Sequence, residues 1–479
     1  MRKSWPLFFL LLSACSLGQD YQKPALSMPE HWPWEAETLT PVPLTLPSQI
    51  QANWWKIFND PALTRLIDEA LNANQDLLTA AARVAEARSL YGLAEASQYP
   101  LLSAQASAER TSNSRESTFN NVRRPSKPFN AFSLTAVLDY EVDLWGKLRR
   151  ATEAAQARLL ATEANRDAIR LAVASDVAAG YFNLRAIDAQ IGITDETIKS
   201  REEALRYQKA QYEQGSLNTL TYQQAEAELA SARAILPELV QARQEQESAL
   251  AILLGRTPKE LAENPISRGK EISTLPAAPT LPASLPSALL SHRPDIAAAE
   301  QNLIAANADV AVAKADFFPT ISLSALIGLT SSEADRLLRG SARNWGGGAN
   351  LATPLLDFGR ASAYNDSVLA RKDQALLQYQ KTVSNAFKDA LDALSAIQTS
   401  AARVSAQTAQ VQARSIALDQ TQLRYNAGYS TYLEMLDAQR FLYQAQLDRA
   451  TAERDRLVAF VNLYKSFGGG WQSRTLQDD

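Results

Sequence analysis

The sequence predicts a mainly α-helical chain with a transmembrane β part, built as a two-fold internal repeat. Three observations support this prediction. Residues up to Ser103 match residues 219 positions later, and residues from Trp145 onward match residues 213 positions later. Long Ala-rich segments carry apolar residues at spacings of three and four, whereas short segments alternate with a period of two. Proline clusters in residues 24–47 and 258–286, a pattern typical of long helices separated by extended connectors.

The repeat pairs chemically similar residues along most of the chain, so the molecule is predicted to be two copies of one unit of roughly 200 residues. The clearest pairs are Asp76 with Asp295, Pro100 with Pro319, Gly146 with Gly359, Tyr212 with Tyr425, and Gly215 with Gly428. The first copy is predicted to span residues 60–257 and the second residues 286–466. Any polar site that differs between the copies then becomes a candidate for function.

The first residues are typical of a targeting segment. Residues 1–14 are predicted to be a signal peptide, because two basic residues precede an apolar run that is too short to span a membrane. Cys15, the only cysteine, follows Leu-Ser-Ala, which resembles a bacterial lipobox whose cysteine is acylated after cleavage. An ordinary signal that happens to contain a cysteine is the alternative. The residue after Cys15 is Ser16 and not an aspartate, which in the resemblance to lipoproteins favours delivery to the outer membrane. Residues 15–59 are predicted to be a lipidated, extended segment.

The first helix of each copy has clear boundaries. In the first copy an N-capping Asp60 is followed by Pro61, and the helical pattern stops before Pro100. In the second copy the helical pattern stops before Pro319. Residues 258–285 between the copies are predicted to be a Pro-rich connector.

Four segments then alternate between apolar and mostly polar residues. They are residues 100–112, 130–144, 319–330 and 345–356. This alternation is typical of transmembrane barrel strands, and equally of a half-buried soluble sheet. If the strands cross a membrane, four are too few to close a barrel, and an open edge in lipid would cost several kcal/mol for each unpaired backbone group. The membrane interpretation therefore requires several chains in one barrel.

Each copy ends in a predicted long helical hairpin. The chain runs without proline from Gly146 to Gly215 and from Gly359 to Gly428, far longer than an average globular helix. It then turns and returns as a helix. The predicted hairpin tips are Gly215, Ser216 and Leu217 in the first copy and Gly428, Tyr429 and Ser430 in the second. Residues 467–479 are predicted to be a disordered tail.

Several function classes lack support in the sequence. The two histidines, His31 and His292, have no acid or nucleophile at catalytic spacing, and no phosphate-binding loop is present. The net charge of −4 and the lack of a basic run argue against nucleic acid. Three methionines are few for a pathway that carries soft metal ions. We therefore predict no enzyme activity, no metal site and no cofactor other than the lipid on Cys15.

Six motifs, in order along nearly the whole mature chain, resemble the outer-membrane factor family of TolC-like trimeric channels, in the lipoprotein branch that works with resistance-nodulation-division (RND) multidrug pumps. The motifs are residues 54–61 (WWKIFNDP), 143–147 (DLWGK), 293–296 (RPDI), 315–319 (ADFFP), 354–360 (PLLDFGR) and 424–428 (RYNAG). The resemblance implies a homotrimer with a twelve-stranded barrel in the outer membrane of a Gram-negative bacterium. It also implies a twelve-helix tunnel across the periplasm and a mixed α and β equatorial region.

The implied function is passive. The trimer would be the outer-membrane channel of a tripartite multidrug efflux system, in which a periplasmic membrane-fusion adaptor opens the tunnel tip and a proton-driven inner-membrane pump supplies the energy. Two alternatives remain open at this point. The same architecture serves type I protein secretion, and a coiled-coil lipoprotein could act as a tether that conducts nothing.

The two copies differ most informatively on the returning helix. The second copy carries Asp437 and Arg440, where the first has Gln224 and Ala227. The family resemblance places Asp437 and Arg440, together with Tyr425, in links that hold the periplasmic end closed. It places Leu433 near the narrowest ring and the adaptor at the hairpin tips. The alternatives are a surface ion pair contributing a few tenths of a kcal/mol and plain helix-turn glycines.

Overall fold

A computed structural model describes residues 17–25, 29, 53–112, 128–276 and 292–471. The predicted signal peptide, Cys15, much of the extended segment, residues 277–285 of the Pro-rich connector and residues 472–479 of the tail lie outside these ranges. The predicted disorder is wrong for the start of the tail, because Gly468–Gly470 form a 3-10 helix and the indole N–H of Trp471 donates to Asp167 at 2.9 Å. The chain divides into two compact units. The first comprises Met1–Ala25, Val84–Thr162 and Ala299–Tyr379, and the second comprises Leu26–Arg83, Glu163–Ala298 and Gln380–Asp479. Each unit takes segments from both predicted repeats, so the repeats and the compact units divide the chain differently.

Eight α-helices occur within the described residues. They are α1 (Pro61–Ala73), α2 (Gln75–Ala96), α3 (Lys147–Glu213), α4 (Thr219–Leu253), α5 (Pro258–Glu263), α6 (Pro294–Ala315), α7 (Arg360–Asn426) and α8 (Tyr432–Ser466). In these ranges no helix has a stretch both long enough and apolar enough to cross a membrane.

The first predicted helix is two helices, so the expectation of one continuous helix before Pro100 was wrong. Asn74 adopts an extended conformation and ends α1. Its side-chain oxygen then accepts hydrogen bonds from the backbone N–H groups of Asp76 and Leu77, each at 3.0 Å. These bonds satisfy donors that the start of α2 would otherwise leave free.

The four predicted strands form one antiparallel sheet in the order β1-β2-β3-β4. They are β1 (Leu101–Thr111), β2 (Phe129–Glu141), β3 (Thr320–Ser331) and β4 (Arg343–Ala352). Their ends differ from the predicted ends by one to four residues. The largest difference is at β4, which was predicted to reach residue 356. Pro354 lies in the missing stretch and cannot donate to a strand ladder.

The repeat is visible in the elements themselves. α3 and α4 recur as α7 and α8 exactly 213 residues later, and α2 recurs as α6 219 residues later. The strand register follows the same rule. Ser103 pairs with Val137 in the first β-hairpin, and the corresponding residues Ser322 and Asn350 pair in the second. The fold class predicted from the sequence, long helical hairpins with four strands, is confirmed.

In the first unit, the end of β2 packs against the start of β3. The indole N–H of Trp145 donates to the carbonyl of Pro319 at 2.7 Å, and its ring lies 4.9 Å from the Phe318 ring. Lys147, in the first turn of α3, forms an ion pair with Asp316 at 2.7 Å. Two motifs singled out in the sequence, one from each copy, therefore meet at a single junction.

In the second unit, a buried aspartate joins three segments. Asp60 caps α1 by accepting from the N–H of Ala62 at 2.8 Å, and it also accepts from the Tyr181 hydroxyl at 2.7 Å. The N–H of Lys270 donates to the same carboxylate at 3.1 Å. Asp60 is only 1% exposed. The chain that follows α5 is thereby held against α1 and α3.

Candidate functional site

The tip of the first hairpin, α3 and α4, is a tight turn that requires glycine. Gly215 has a φ of +74°, which a side chain would disfavour, and its N–H donates to the carbonyl of Tyr212 at 3.0 Å. Ser216 donates to Gln211 at 2.9 Å, and Asn218 caps α4 through the N–H of Thr221 at 2.9 Å. Gly215 and Ser216 are exposed and Leu217 is half-buried.

The tip of the second hairpin, α7 and α8, repeats this geometry. Gly428 has a φ of +78°, and its N–H donates to Tyr425 at 3.0 Å. The Thr431 hydroxyl caps α8 by accepting from Glu434 at 3.3 Å. The Tyr429 side chain is 79% exposed, whereas Ser430 is half-buried. An exposed aromatic side chain at this tip is available to a binding partner.

The two hairpins are joined by an ion pair. The Nε of Arg440 on α8 donates to Oε1 of Glu228 on α4 at 2.9 Å. A longer contact of 3.4 Å joins Nη1 of Arg440 to Asp437. The structure therefore brings Asp437 and Arg440 together, but the stronger partner of Arg440 is Glu228, on the other hairpin of the same protomer.

The sequence prediction does not include Glu228, because it rests on the charged residues that the second copy carries and the first lacks, Asp437 and Arg440. The reverse comparison would have found Glu228, since the residue 213 positions later is Phe441. A carboxylate in one copy at the position where the other copy has an aromatic residue is the signal that could have identified Glu228.

A second arginine, Arg201, also pairs with Glu228. Nη2 of Arg201 on α3 lies 3.2 Å from Oε2 of Glu228, and Nη1 donates to the Glu228 backbone carbonyl at 2.7 Å. The side chains of Arg201 and Glu228 are 8% and 9% exposed, against 51% for Arg440. Burial lowers the pKa of Arg201, whereas the hydrogen bond to Glu228 raises the pKa of Arg440. The two arginines of one carboxylate thus differ sharply in their access to water.

Tyr425 lies in a second inter-hairpin contact. Its hydroxyl accepts from the side-chain amide of Gln208 on α3 at 3.0 Å. Its ring lies 5.7 Å from the Tyr432 ring, beside an apolar cluster that includes Met435 and Leu436. Burial raises the pKa of Tyr432 to about 12. Leu433 lies outside this cluster and is half exposed.

The residues just after the predicted lipidation site lie along helices of the first unit. The Leu17 N–H donates to the Trp145 carbonyl at 3.2 Å, and Asn307 donates to the Gln19 carbonyl at 3.0 Å. Lys23 forms an ion pair with Glu300 at 2.7 Å. Hydrogen bonds and an ion pair therefore hold residues 17–25 against this unit. The segment begins two residues after Cys15, which itself lies outside the described residues.

The family model described as outer membrane efflux protein matches residues 66–256 and 285–469. The chain belongs to the outer membrane efflux protein family. The predicted family, the predicted location in the outer membrane and the predicted function are confirmed: this efflux protein is the outer-membrane channel component of a tripartite efflux system. The family consists of channel proteins, which as a class are not enzymes.

Known relatives of this efflux protein cover nearly its full length. It is 34% identical to the solvent efflux pump outer membrane protein SrpC of Pseudomonas putida, over 98% of both chains. It is 33% identical to the cation efflux system protein CusC of Escherichia coli O6:H1, over 97% of both. The crystal structure of the Campylobacter jejuni CmeC outer membrane channel matches with a TM-score of 0.88 and 26% identity, over 96% of both chains.

The names of these relatives point to different cargoes. One is named for solvents and the other for cations, at nearly equal identity to this chain. Overall identity therefore does not select the cargo, and the expectation that soft metal ions are disfavoured stays a prediction. The roles assigned to the gate residues, to the hairpin tips and to Cys15 also stay predictions.

Proposed function

We propose that three copies of this chain form the outer-membrane channel of a tripartite multidrug efflux system, with the Arg440–Glu228 pair acting as a latch on its periplasmic end. Drugs and other small molecules cross it passively once an adaptor has opened that end, and a proton-driven RND pump in the inner membrane supplies the energy. The observation that carries this proposal is the ion pair between the two hairpins near their tips. A polar link between long helices is a contact that a partner can break.

The strength of the latch suits a reversible gate. A hydrogen bond to a charged group contributes about 1.5–3 kcal/mol, and the half-exposed Arg440 puts each latch at the low end of that range. Three copies in a trimer would contribute about 4–5 kcal/mol, a closed-state preference of roughly a thousandfold. That preference keeps the channel shut at rest, yet the binding energy of a partner protein can offset it. Tyr425 and Asp437 add weaker contacts, and Leu433 lines the narrowest ring.

The hairpin tips are the proposed docking site of the membrane-fusion adaptor. The exposed residues Gly215, Ser216, Gly428 and Tyr429 lead directly into the helices that carry the latch. An adaptor that binds both tips would therefore act on the relative position of the two hairpins. Each predicted repeat contributes one hairpin, and residues 258–285 contribute to the equatorial region.

Cys15 is the proposed lipid anchor. Its neighbour two residues on, Leu17, is hydrogen-bonded beside Trp145 at the point where β2 passes into α3. An acyl chain on Cys15 would therefore start close to the membrane-facing sheet. The mass of the N-terminal peptide from purified protein tests this, because acylation adds the mass of the lipid to a peptide that begins at Cys15.

Conductance in planar lipid bilayers tests the channel and its latch together. Replacing Asp437 and Arg440 with Ala should raise the conductance of the resting channel by up to roughly a thousandfold, because Glu228 loses its contact with the second hairpin in all three copies. The matched control replaces Lys388 and Asp392, an exposed ion pair at 2.6 Å on α7, with Ala and should leave conductance unchanged.

Three results would contradict the proposal. Equal closed-state conductance in the wild type and in the Asp437 and Arg440 variant would remove the latch. A trimer that conducts nothing under any condition would instead favour the non-conducting tether. Copurification with an ATP-driven exporter in place of a proton-driven pump would favour the protein-secretion duct.

A further inference from the structure

We propose that Arg201 is a positioning residue of the gate: it keeps the buried Glu228 carboxylate paired after Arg440 has left, and so makes opening possible. This inference rests on the proposed latch and adds a residue to it. Arg201 and Arg440 approach Glu228 from different helices, α3 and α8. Their roles differ because only Arg440 belongs to the second hairpin.

The two arginines occupy different oxygens of the carboxylate. Arg440 donates to Oε1, while Nη2 of Arg201 lies against Oε2 at 3.2 Å. Neither arginine displaces the other, so losing one contact leaves the other in place. Arg201 is further fixed by its 2.7 Å hydrogen bond to the Glu228 carbonyl, which ties it to the α4 backbone.

Burial explains why the second pairing is needed. Arg440 is 51% exposed, so its guanidinium regains water as soon as the latch opens. The Glu228 side chain is only 9% exposed and cannot do the same. An ionised carboxylate left buried without a partner carries a large desolvation penalty. With Arg201 in place, opening breaks the contact between Arg440 and Glu228, and the buried Glu228 carboxylate keeps Arg201 as its partner.

The second copy gives an independent indication that this arginine belongs to its own hairpin. The residue 213 positions after Arg201 is Arg414, and Phe441 stands where Glu228 would be. The Arg414 guanidinium lies 4.5 Å from the centre of the Phe441 ring, a cation–π contact between α7 and α8. Both hairpins thus use an arginine of the long helix to hold the returning helix. Only the first hairpin adds a carboxylate that can receive Arg440.

Arg201 also faces the second hairpin, but weakly. Its guanidinium is 5.9 Å from the centre of the Tyr443 ring on α8, at the outer limit of a cation–π contact. The Tyr443 hydroxyl has its own partner in Thr194, at 2.9 Å. Release of the second hairpin therefore costs Arg201 little, and its two bonds to Glu228 dominate its placement.

Conductance of trimers in planar bilayers tests the inference. Arg201→Gln should lower the open probability about tenfold or more, because opening then leaves Glu228 buried and unpaired. Adding Glu228→Gln removes the charge, so the double variant should return to the conductance of Glu228→Gln alone. Arg414→Gln is the matched control, since among the described residues Arg414 contacts the Phe441 ring and no carboxylate, and it should not lower the open probability.

A purely structural role for Arg201 predicts the opposite result. The hairpin would loosen, conductance would rise or stay unchanged, and Glu228→Gln would not reverse the effect. Either outcome overturns the inference. If Arg201→Gln forms no trimer, Arg201→Lys is measured instead and should give a smaller decrease that Glu228→Gln again reverses. Arg440→Gln separates the two proposals, because unchanged conductance in that variant overturns the latch itself.

Discussion

At the residue scale, the buried Asp60 carboxylate accepts hydrogen bonds from three separate segments of the chain. It caps α1, accepts from the Tyr181 hydroxyl and accepts from the Lys270 N–H, all while 1% exposed. Gly269 passes so close that a Cβ there would overlap the Asp60 carboxylate. The neighbouring N–H of Gly269 donates to the same Tyr181 hydroxyl at 2.9 Å. One carboxylate therefore sets where the chain after α5 can lie.

Replacing Asp60 with Ala should be unusually costly for a helix cap. Each buried donor left without a partner costs about 1–3 kcal/mol, and Asp60 serves donors from three segments. We expect a loss of about 3 kcal/mol or more in the free energy of unfolding, measured by helical circular dichroism in urea. Thr257→Ala is the control, because Thr257 caps the exposed helix α5 and should cost about 1 kcal/mol. Equal losses in the two variants would show that the network adds nothing to capping.

Individual residues of the site could be predicted only in part. Asp437, Arg440 and Tyr425 were found because they differ between copies or match a motif. The structure places Arg440 and Tyr425 in contacts between the hairpins, whereas Asp437 contacts Arg440 on its own helix. Glu228 was missed, although its repeat partner Phe441 marks it. The distances that make Glu228 the main partner of Arg440 depend on how α4 and α8 pack. Helix packing between elements distant in sequence is not readable from local spacing.

At the element scale, glycine and capping residues determine where the long helices end. The 213-residue offset carries the bounds of α3 and α4 onto α7 and α8, because the tip glycines and the caps Asn218 and Thr431 recur at that offset. Such signals are local, and the tip glycines were predicted from the sequence, whereas the two capping residues were identified only in the structure. The break at Asn74 was not predicted, since one polar residue in an apolar periodic run rarely stops a helix. Its position depends on the side-chain amide, which donates to the Leu253 carbonyl at 2.8 Å.

The two returning helices differ by a proline. α4 contains Pro237 in its interior, whereas the corresponding residue of α8 is Ala450. Proline has no N–H, so the carbonyl of Arg233 lacks its usual helical donor. Pro237 is exposed, so replacing it disturbs little packing. The first hairpin therefore carries a weak point in its backbone that the second hairpin lacks.

Pro237→Ala should strengthen α4 by up to about 3 kcal/mol, the difference between the two residues inside a helix. Hydrogen–deuterium exchange should show slower amide exchange in the turn around residues 233–241, with no change in α8. The reciprocal variant Ala450→Pro should speed exchange in α8 and leave α4 unchanged. If exchange in α4 is the same with and without Pro237, the helix already compensates for the missing bond.

At the scale of the whole molecule, the sheet has two edges that one chain cannot pair. Within the described residues β1 and β4 each have a single neighbour. Large apolar side chains next to these edges are exposed, among them Tyr99 at 68% and Phe358 at 87%. Phe358 is the repeat equivalent of Trp145, and Tyr99 is the equivalent of Phe318. Since Trp145 packs on Phe318 within the chain, Phe358 should pack on Tyr99 of a neighbouring copy.

The repeat also predicts the register of that contact. Both β-hairpins of the chain obey the same offsets, so the β2–β3 pairing can be carried over to β4 and the β1 of a neighbour. Ala136 opposite Ile327 becomes Ala349 opposite Ala108. Side chains directly opposite each other in an antiparallel pair have Cβ atoms about 4.5–5.5 Å apart. A short thiol crosslinker therefore spans cysteines placed at these two positions.

Ala349→Cys combined with Ala108→Cys should crosslink neighbouring chains into species of two and three linked copies, and no more than three, on denaturing gels. The reason is geometric: closure of a barrel by three four-stranded sheets pairs each β4 with one β1 and leaves no free edge. Ala349→Cys with Ala104→Cys is the control, because four residues along a strand move the second thiol about 13 Å away on the same face. A ladder that continues past three copies would contradict closure. Efficient crosslinking in the control, with little in the predicted pair, would show that the strands meet in another register.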